Sequence, residues 1–171
     1  MPYKQEVIKY VSSLDSFAKR SGAINLIVKK KNKLLGYNTD VYGAINSIKD
    51  ELRQFNNILI IGLGGTGSAI FNYMIKTFPK KNYFIKTSKN FFFKKKNIQT
   101  IKKIDEKLIK NKFLFINCTP LGSDLKKIFK NKTPINKEIF PKINKSSCIF
   151  DIVYSPKIKI LNKLSKKFNI K

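Results

Sequence analysis

A chain of 171 residues has room for one ordinary domain, or one domain with an appendage, and is short for two complete ones. Hydrophobic residues make up 42%, but Lys or Asn breaks their runs every few positions, so no stretch spans a bilayer and the chain reads as soluble and globular. The net charge of +26 is the footprint of a nucleic-acid binder, yet it is nearly all lysine, with Arg20 and Arg53 the only arginines; it reads as a solvated lysine surface and nucleic acid is not the expected partner.

The segment from Met1 to Tyr10 lacks the charged and apolar regions of a secretory leader, so a cytoplasmic location is expected. Val7, Ile8, Val11, Leu14, Phe17 and Ala18 are spaced for a helix over residues 5–21, with Gly22 as its stop. INLIVKKKNKLLGYN then reads as a strand, a Lys/Asn turn and a second strand. Thr39 and Asp40 form an N-cap pair, and Ala44, Ile45, Ile48, Leu52 and Phe55 predict one long helix beginning at Asp40.

From residue 58 the pattern changes to continuous apolar strands alternating with helices, as in a parallel sheet covered on both faces. Strands are expected at Ile58–Leu63, Tyr83–Thr87, Ile98–Ile101, Phe113–Cys118 and Cys148–Val153, and helices at Thr66–Phe78, Ile104–Ile109 and Ile158–Phe168. SKNFFFKKKN, after the second of these strands, fits no element. Cys118 and Cys148 sit in apolar runs without partners at ligand spacing, so they read as buried thiols, with no disulfide framework and no metal site expected. The fold class is α/β: a Rossmann-like, doubly wound parallel sheet preceded by a partial α/β region, with the boundary near residue 41.

The strand before Gly62, Gly64, Gly65 and Gly67 and the helix after them are the setting in which a glycine-rich turn binds a dinucleotide. Gly62 permits the turn, Gly64 admits a phosphate to the backbone, and Gly67 lets helix and strand pack closely. An NAD site would carry an acidic residue at the end of the next strand, but none occurs from Gly62 to Lys96. Lys86, Thr87, Ser88 and Lys89 stand there instead, which suits an adenosine 2′-phosphate and makes NADP the expected cofactor. The chain has no histidine, so proton transfer near neutral pH falls to a carboxylate, a lysine, a tyrosine or water.

In chain order, MPYK, SGAIN, GYNTD with Gly43, IGLGGTG, INCTPLG and DIVYSP resemble the ordered motifs of the shikimate dehydrogenase family. The resemblance implies a substrate-binding α/β domain, of which residues 1–40 are a remnant, and an NADP-binding Rossmann domain, residues 41–171, opening with the linking helix and set across a cleft. It implies NADP-linked interconversion of 3-dehydroshikimate and shikimate, in aromatic amino-acid biosynthesis. By position, Lys4 matches the catalytic lysine and Asp40 the aspartate paired with it, both touching substrate, while Asn25 and Tyr154 match substrate-binding residues. Gly62, Leu63, Gly64, Gly65 and Thr66 match the pyrophosphate loop, Ile85, Lys86, Thr87, Ser88, Lys89 and Asn90 the 2′-phosphate loop, and Ile152 a residue beside the nicotinamide. Asn117 and Thr119 read as residues that shape a loop rather than react.

Taken singly these residues have plainer readings: Asp40 as a helix cap, Lys4 as one lysine among many, Asn25 as a turn residue. Against the family pattern the chain would be truncated, without the segment gripping the substrate carboxylate and without the later helices, and Lys4 would then have no sheet to anchor it. Leu26, Ile85, Lys86 and Lys159 depart from the usual Thr, Asn, Arg and Thr. An inactive dinucleotide-binding fragment, a quinate/shikimate paralogue and a basic nucleic-acid binder are the alternatives, and a homodimer is compatible with all of them.

Overall fold

The computed structural model describes residues 2–88, 91, 93–156 and 159–171, and it replaces the helix expected over residues 5–21 by shorter pieces. Pro2–Lys4 and Glu6–Tyr10 are 3-10 turns, Ser13–Leu14 is strand β1, and only Ser16–Ser21 is α-helix, α1. The reason is Asp15, whose carboxylate accepts from the Phe17 and Ala18 N–H groups at 3.2 and 2.8 Å and so starts a new helix. Gly22 ends α1 at φ 72°, the stop expected of it.

Leu26–Lys30 (β2) and Lys33–Tyr37 (β3) form the expected hairpin, with Lys31 at φ 52° in its turn. The sheet order is β1-β3-β2, and β1 runs parallel to β3. The long helix expected from Asp40 is two: α2, Thr39–Ser47, and α3, Lys49–Gln54. Ile48 leaves helical geometry at φ −122°, and Asp50 and Glu51 then occupy the first turn of α3, where carboxylates favour a new helix start. The cap of α2 is neither Thr39 nor Asp40 but Asn38, whose Oδ1 accepts from the Val41 N–H at 2.9 Å.

By packing, the chain divides into one unit of Met1–Lys49 with Gly65–Lys80 and another of Asp50–Gly64 with Lys81–Lys171. In the first, α1 and α2 pack on α4, Gly65–Thr77. Phe17 stacks on Tyr73 with centroids 4.9 Å apart and meets Tyr42 edge-on. Asn38 is buried, and its Nδ2 donates to the Ala23 carbonyl at 2.9 Å and to Ser21 Oγ at 3.2 Å, so one side chain caps α2 and ties it to the end of α1.

The second unit is built on β4 (Asn57–Ile61), β5 (Asn82–Lys86), β6 (Ile98–Ile101), β7 (Leu114–Asn117) and β8 (Cys148–Asp151), in the order β6-β5-β4-β7-β8. Every pairing is parallel. This is the Rossmann-like sheet expected from the sequence, and its strands stand where the apolar runs place them. Ile58–Ile61 and Leu114–Asn117 are buried throughout because central parallel strands are covered on both faces. One core joins Leu59, Ile61 and Phe115 to Ile109, Phe113 and Phe140, with Leu161 of α7 (Ile160–Lys167). Between β6 and β7 lies α5, Glu106–Ile109, as expected. Between β7 and β8 lie a short helix, α6 (Lys127–Lys130), and a 3-10 turn (Lys137–Lys142), which the sequence did not signal. Cys118 and Cys148 are buried and free. Burial, with the Asp151 carboxylate as a smaller contribution, pushes the Cys118 thiol up to about 12, so it stays protonated and unreactive.

Candidate active site

Lys4 and Asp40, 36 residues apart in sequence, meet: Lys4 Nζ donates to Asp40 Oδ2 at 2.5 Å. Lys4 stands in a 3-10 turn and, among the described residues, pairs with no strand, as expected of it, and its backbone is held by one bond, its carbonyl accepting from the Ile24 N–H at 2.8 Å. Asp40 is free to face the lysine because Asn38 takes the capping role. The Lys4 side chain is 23% exposed and that of Asp40 46%, which leaves both reachable by a ligand. An ammonium has three N–H donors, and one is spent on Asp40.

Asn25 stands beside this pair in sequence logic and is fixed locally. Its Oδ1 accepts from the Thr39 N–H at 2.9 Å, and its Nδ2 donates to Thr39 Oγ1 at 2.9 Å. Thr39, expected as a helix cap beside Asp40, instead pins Asn25. Within the same unit, Lys4 and Asp40 line a small recess with Asn38 and Val41 and, from the start of α4, Gly65, Thr66 and Ala69. Its volume is about 10 Å³, room for one water.

The chain passes from β4 into α4 through Gly62, Leu63 and Gly64. Gly62 has φ 93°, and a Cβ there would lie 2.7 Å from the Thr119 methyl and 3.2 Å from the Thr119 nitrogen. Its N–H donates to the Lys86 carbonyl at 2.8 Å, joining the turn to the end of β5. Among the described residues, a Cβ on Gly64 or Gly65, by contrast, would meet nothing within 4 Å beyond its chain neighbours and, for Gly65, its own helix. Packing therefore explains the first glycine and not the next two, which fits a turn kept bare for a phosphate at the N-terminus of a 13-residue helix.

At the end of β5, Ile85 is fully buried and Lys86 is half-buried, its Nζ donating to the Pro134 carbonyl at 3.3 Å. Thr87 and Ser88 follow; Lys89 and Asn90, also expected at the 2′-phosphate, lie outside the described residues. Ile152 and Tyr154 follow β8. Ile152 N–H donates to the Asn117 carbonyl at 3.2 Å, whereas Tyr154 is 90% exposed. Asn117 and Thr119 shape a loop, as the sequence suggests: Asn117 Oδ1 accepts from the Thr119 N–H at 2.9 Å and from its hydroxyl at 2.7 Å. Sequence reasoning missed the burial of Lys159, which is 6% exposed at a position where any lysine in so basic a chain reads as surface.

No family model matches the chain. The chain is 36% identical over 178 residues to the NADP(+) shikimate dehydrogenase of Clostridium beijerinckii, covering all of this chain and 62% of that protein. It is 34% identical over 190 residues to that of Methanococcus vannielii, covering all of this chain and 63% of that protein. Among solved structures it matches a chorismate mutase/shikimate 5-dehydrogenase fusion protein from Clostridium acetobutylicum with a TM-score of 0.77 and 25% identity, over all of this chain and 60% of that one. A shikimate dehydrogenase solved in complex with NADP+ matches with a TM-score of 0.70 and 26% identity, over all of this chain and 62% of that one. The chain thus spans just over three fifths of the length of these relatives. The resemblance carried by the six ordered motifs extends over the whole chain.

Proposed function

We propose, for a chain related along its whole length to the shikimate dehydrogenases, that it carries the NADP-binding and proton-donating parts of an enzyme interconverting 3-dehydroshikimate and shikimate. The observation that supports this most is the Lys4–Asp40 ion pair, lining one recess with Gly65 and Thr66 of the glycine-rich turn. In this reading residues 1–40 belong to the substrate-binding domain and 41–171 to the NADP-binding domain. The partners are small molecules and not nucleic acid, the place is the cytoplasm, and the assembly to look for is a homodimer. Among the described residues no helix is long and apolar enough to cross a membrane.

Gly62 to Thr66 would hold the pyrophosphate, Lys86, Thr87, Ser88, Lys89 and Asn90, with Ile85 beneath them, the 2′-phosphate, and Ile152 the nicotinamide side. NADPH, when bound, supplies a hydride to a ketone carbon. Negative charge then grows on the substrate oxygen, and the remaining Lys4 N–H groups stabilise it and deliver the proton. Asp40 holds the ammonium in place and accepts from a substrate hydroxyl. Asn25, pinned by Thr39, and Tyr154 would fix the substrate ring.

The test is the absorbance at 340 nm when shikimate and NADP+ are mixed with the protein carrying this chain. Growth of NADPH absorbance that requires shikimate and is not matched with NAD+ is expected. Binding of NADPH with no shikimate-dependent turnover would favour the reading of an inactive dinucleotide-binding fragment, and turnover on quinate at an equal rate would favour the paralogue.

A further inference from the structure

The one buried lysine among the described residues is Lys159, and it does not lie where its charge is welcome. It is the N-cap of α7, where the helix field opposes a cation, and its side chain makes no capping bond. Something else must compensate it. Its ammonium faces Asp151 Oδ2 at 2.9 Å, with 6% and 9% of the two side chains exposed, and it also donates to the Val153 carbonyl.

The pair does not end there. Asp151 Oδ1 accepts from Asn117 Nδ2 at 2.8 Å and from the Val153 N–H at 3.1 Å. Asn117 in turn holds Thr119, and the Thr119 methyl is the group that a side chain at Gly62 would strike. Lys159, Asp151, Asn117 and Thr119 are therefore successive links from the loop after β8, through the loop after β7, to the first glycine of the turn after β4. Asp151 and Asn117 end β8 and β7, Gly62 follows the end of β4, and the strand order reverses between β4 and β7, which is where open α/β sheets bind their ligands; Lys159 reaches this edge from the start of α7.

We infer that Lys159 is a positioning residue for the nicotinamide half of the cofactor: its buried ion pair with Asp151 and its bond to the Val153 carbonyl hold the loop of residues 152–156 in the arrangement that presents Ile152. The inference rests on the NADP-binding reading above. A lysine here acts through Asp151 and Val153 and touches no reacting atom. A buried cation is well suited to this because it must stay where its partner is: leaving either charge alone in the interior is far more costly than solvating an exposed one.

Lys159→Met alone strands the Asp151 carboxylate and lowers the melting temperature by on the order of 10 °C. The double variant Asp151→Asn/Lys159→Met removes both charges and keeps the fold, so it is the informative protein. In it, amide hydrogen exchange of residues 152–156 is faster than in the wild type, NADPH binds about tenfold more weakly or worse, and adenosine 2′,5′-bisphosphate, which lacks the nicotinamide half, binds as before. Unchanged exchange in 152–156, an unchanged NADPH affinity, or equal weakening of both ligands overturns the inference. The two readings separate in the wild type: if NADPH does not bind there, the cofactor reading fails and takes the positioning role with it, whereas NADPH binding with an indifferent double variant removes the role of Lys159 alone.

Discussion

Replacing Lys4 with Met is expected to lower shikimate-dependent NADP+ reduction by about 10²- to 10⁴-fold, the usual worth of a positioned general acid or base. The melting temperature should hardly move. Asp40 is 46% exposed, and ion pairs reached by water contribute about 0–1 kcal/mol, so breaking this one costs little fold stability. What is lost is the ammonium lining the recess, the group proposed to stabilise and protonate an oxyanion. The backbone bond from the Ile24 N–H to the Lys4 carbonyl is independent of the side chain, so the segment stays in place. Asp40→Asn keeps the shape and removes the carboxylate, and a smaller fall in rate is expected from it. Rates measured beside thermal melts of both variants check this, and a Lys4→Met protein that is folded and fully active would remove Lys4 from the chemistry.

Gly62→Ala should damage the fold and the cofactor site together. The residue sits at φ 93°, which costs a side chain about 1–3 kcal/mol, and the added methyl would lie 2.7 Å from that of Thr119. Relief of that contact requires the loop after β7 to shift, at a further cost of about 1–3 kcal/mol. For a chain of this size the sum corresponds to a fall in melting temperature of roughly 5–15 °C. Gly64→Ala is the control, because among the described residues nothing but its chain neighbours lies within 4 Å of its would-be Cβ. It should melt as the wild type does and, on the cofactor reading, bind NADPH less well. Thermal melts and NADPH titrations of the two variants separate the roles; equal melting behaviour for both would mean that the turn is not held as described.

The parallel sheet was legible because its information is local. Strands buried on both faces need unbroken apolar runs, and Ile58–Ile61 and Leu114–Ile116 are such runs. The N-terminal region was misread because its partners are distant. Val7, Ile8, Val11 and Leu14 have helical spacing, but the Ser12 N–H donates to the Leu34 carbonyl at 2.7 Å and Ser13–Leu14 pair with β3, a bond that no local period reports. The cap of α2 was placed one or two residues late for a similar reason: Asn38 takes it because its amide also reaches the buried end of α1. Of the site, the glycine turn was readable from strand, glycines and helix alone. Lys4 with Asp40 was readable only through the ordered motifs, since a lysine in a chain with 36 basic residues carries no weight by itself. Lys159 escaped on the same ground, because only the position of Asp151 reveals that this lysine is internal.

The most direct test of the central claim is a fluorescence titration of the 171-residue chain with NADPH and, separately, with NADH. A saturable change with NADPH, at an affinity at least about tenfold above that for NADH, or roughly 1.4 kcal/mol, is the result expected of a bare glycine turn followed by lysines and hydroxyls in place of an acidic residue. A signal that stays flat with both nucleotides, or NADH bound as tightly as NADPH, would contradict it.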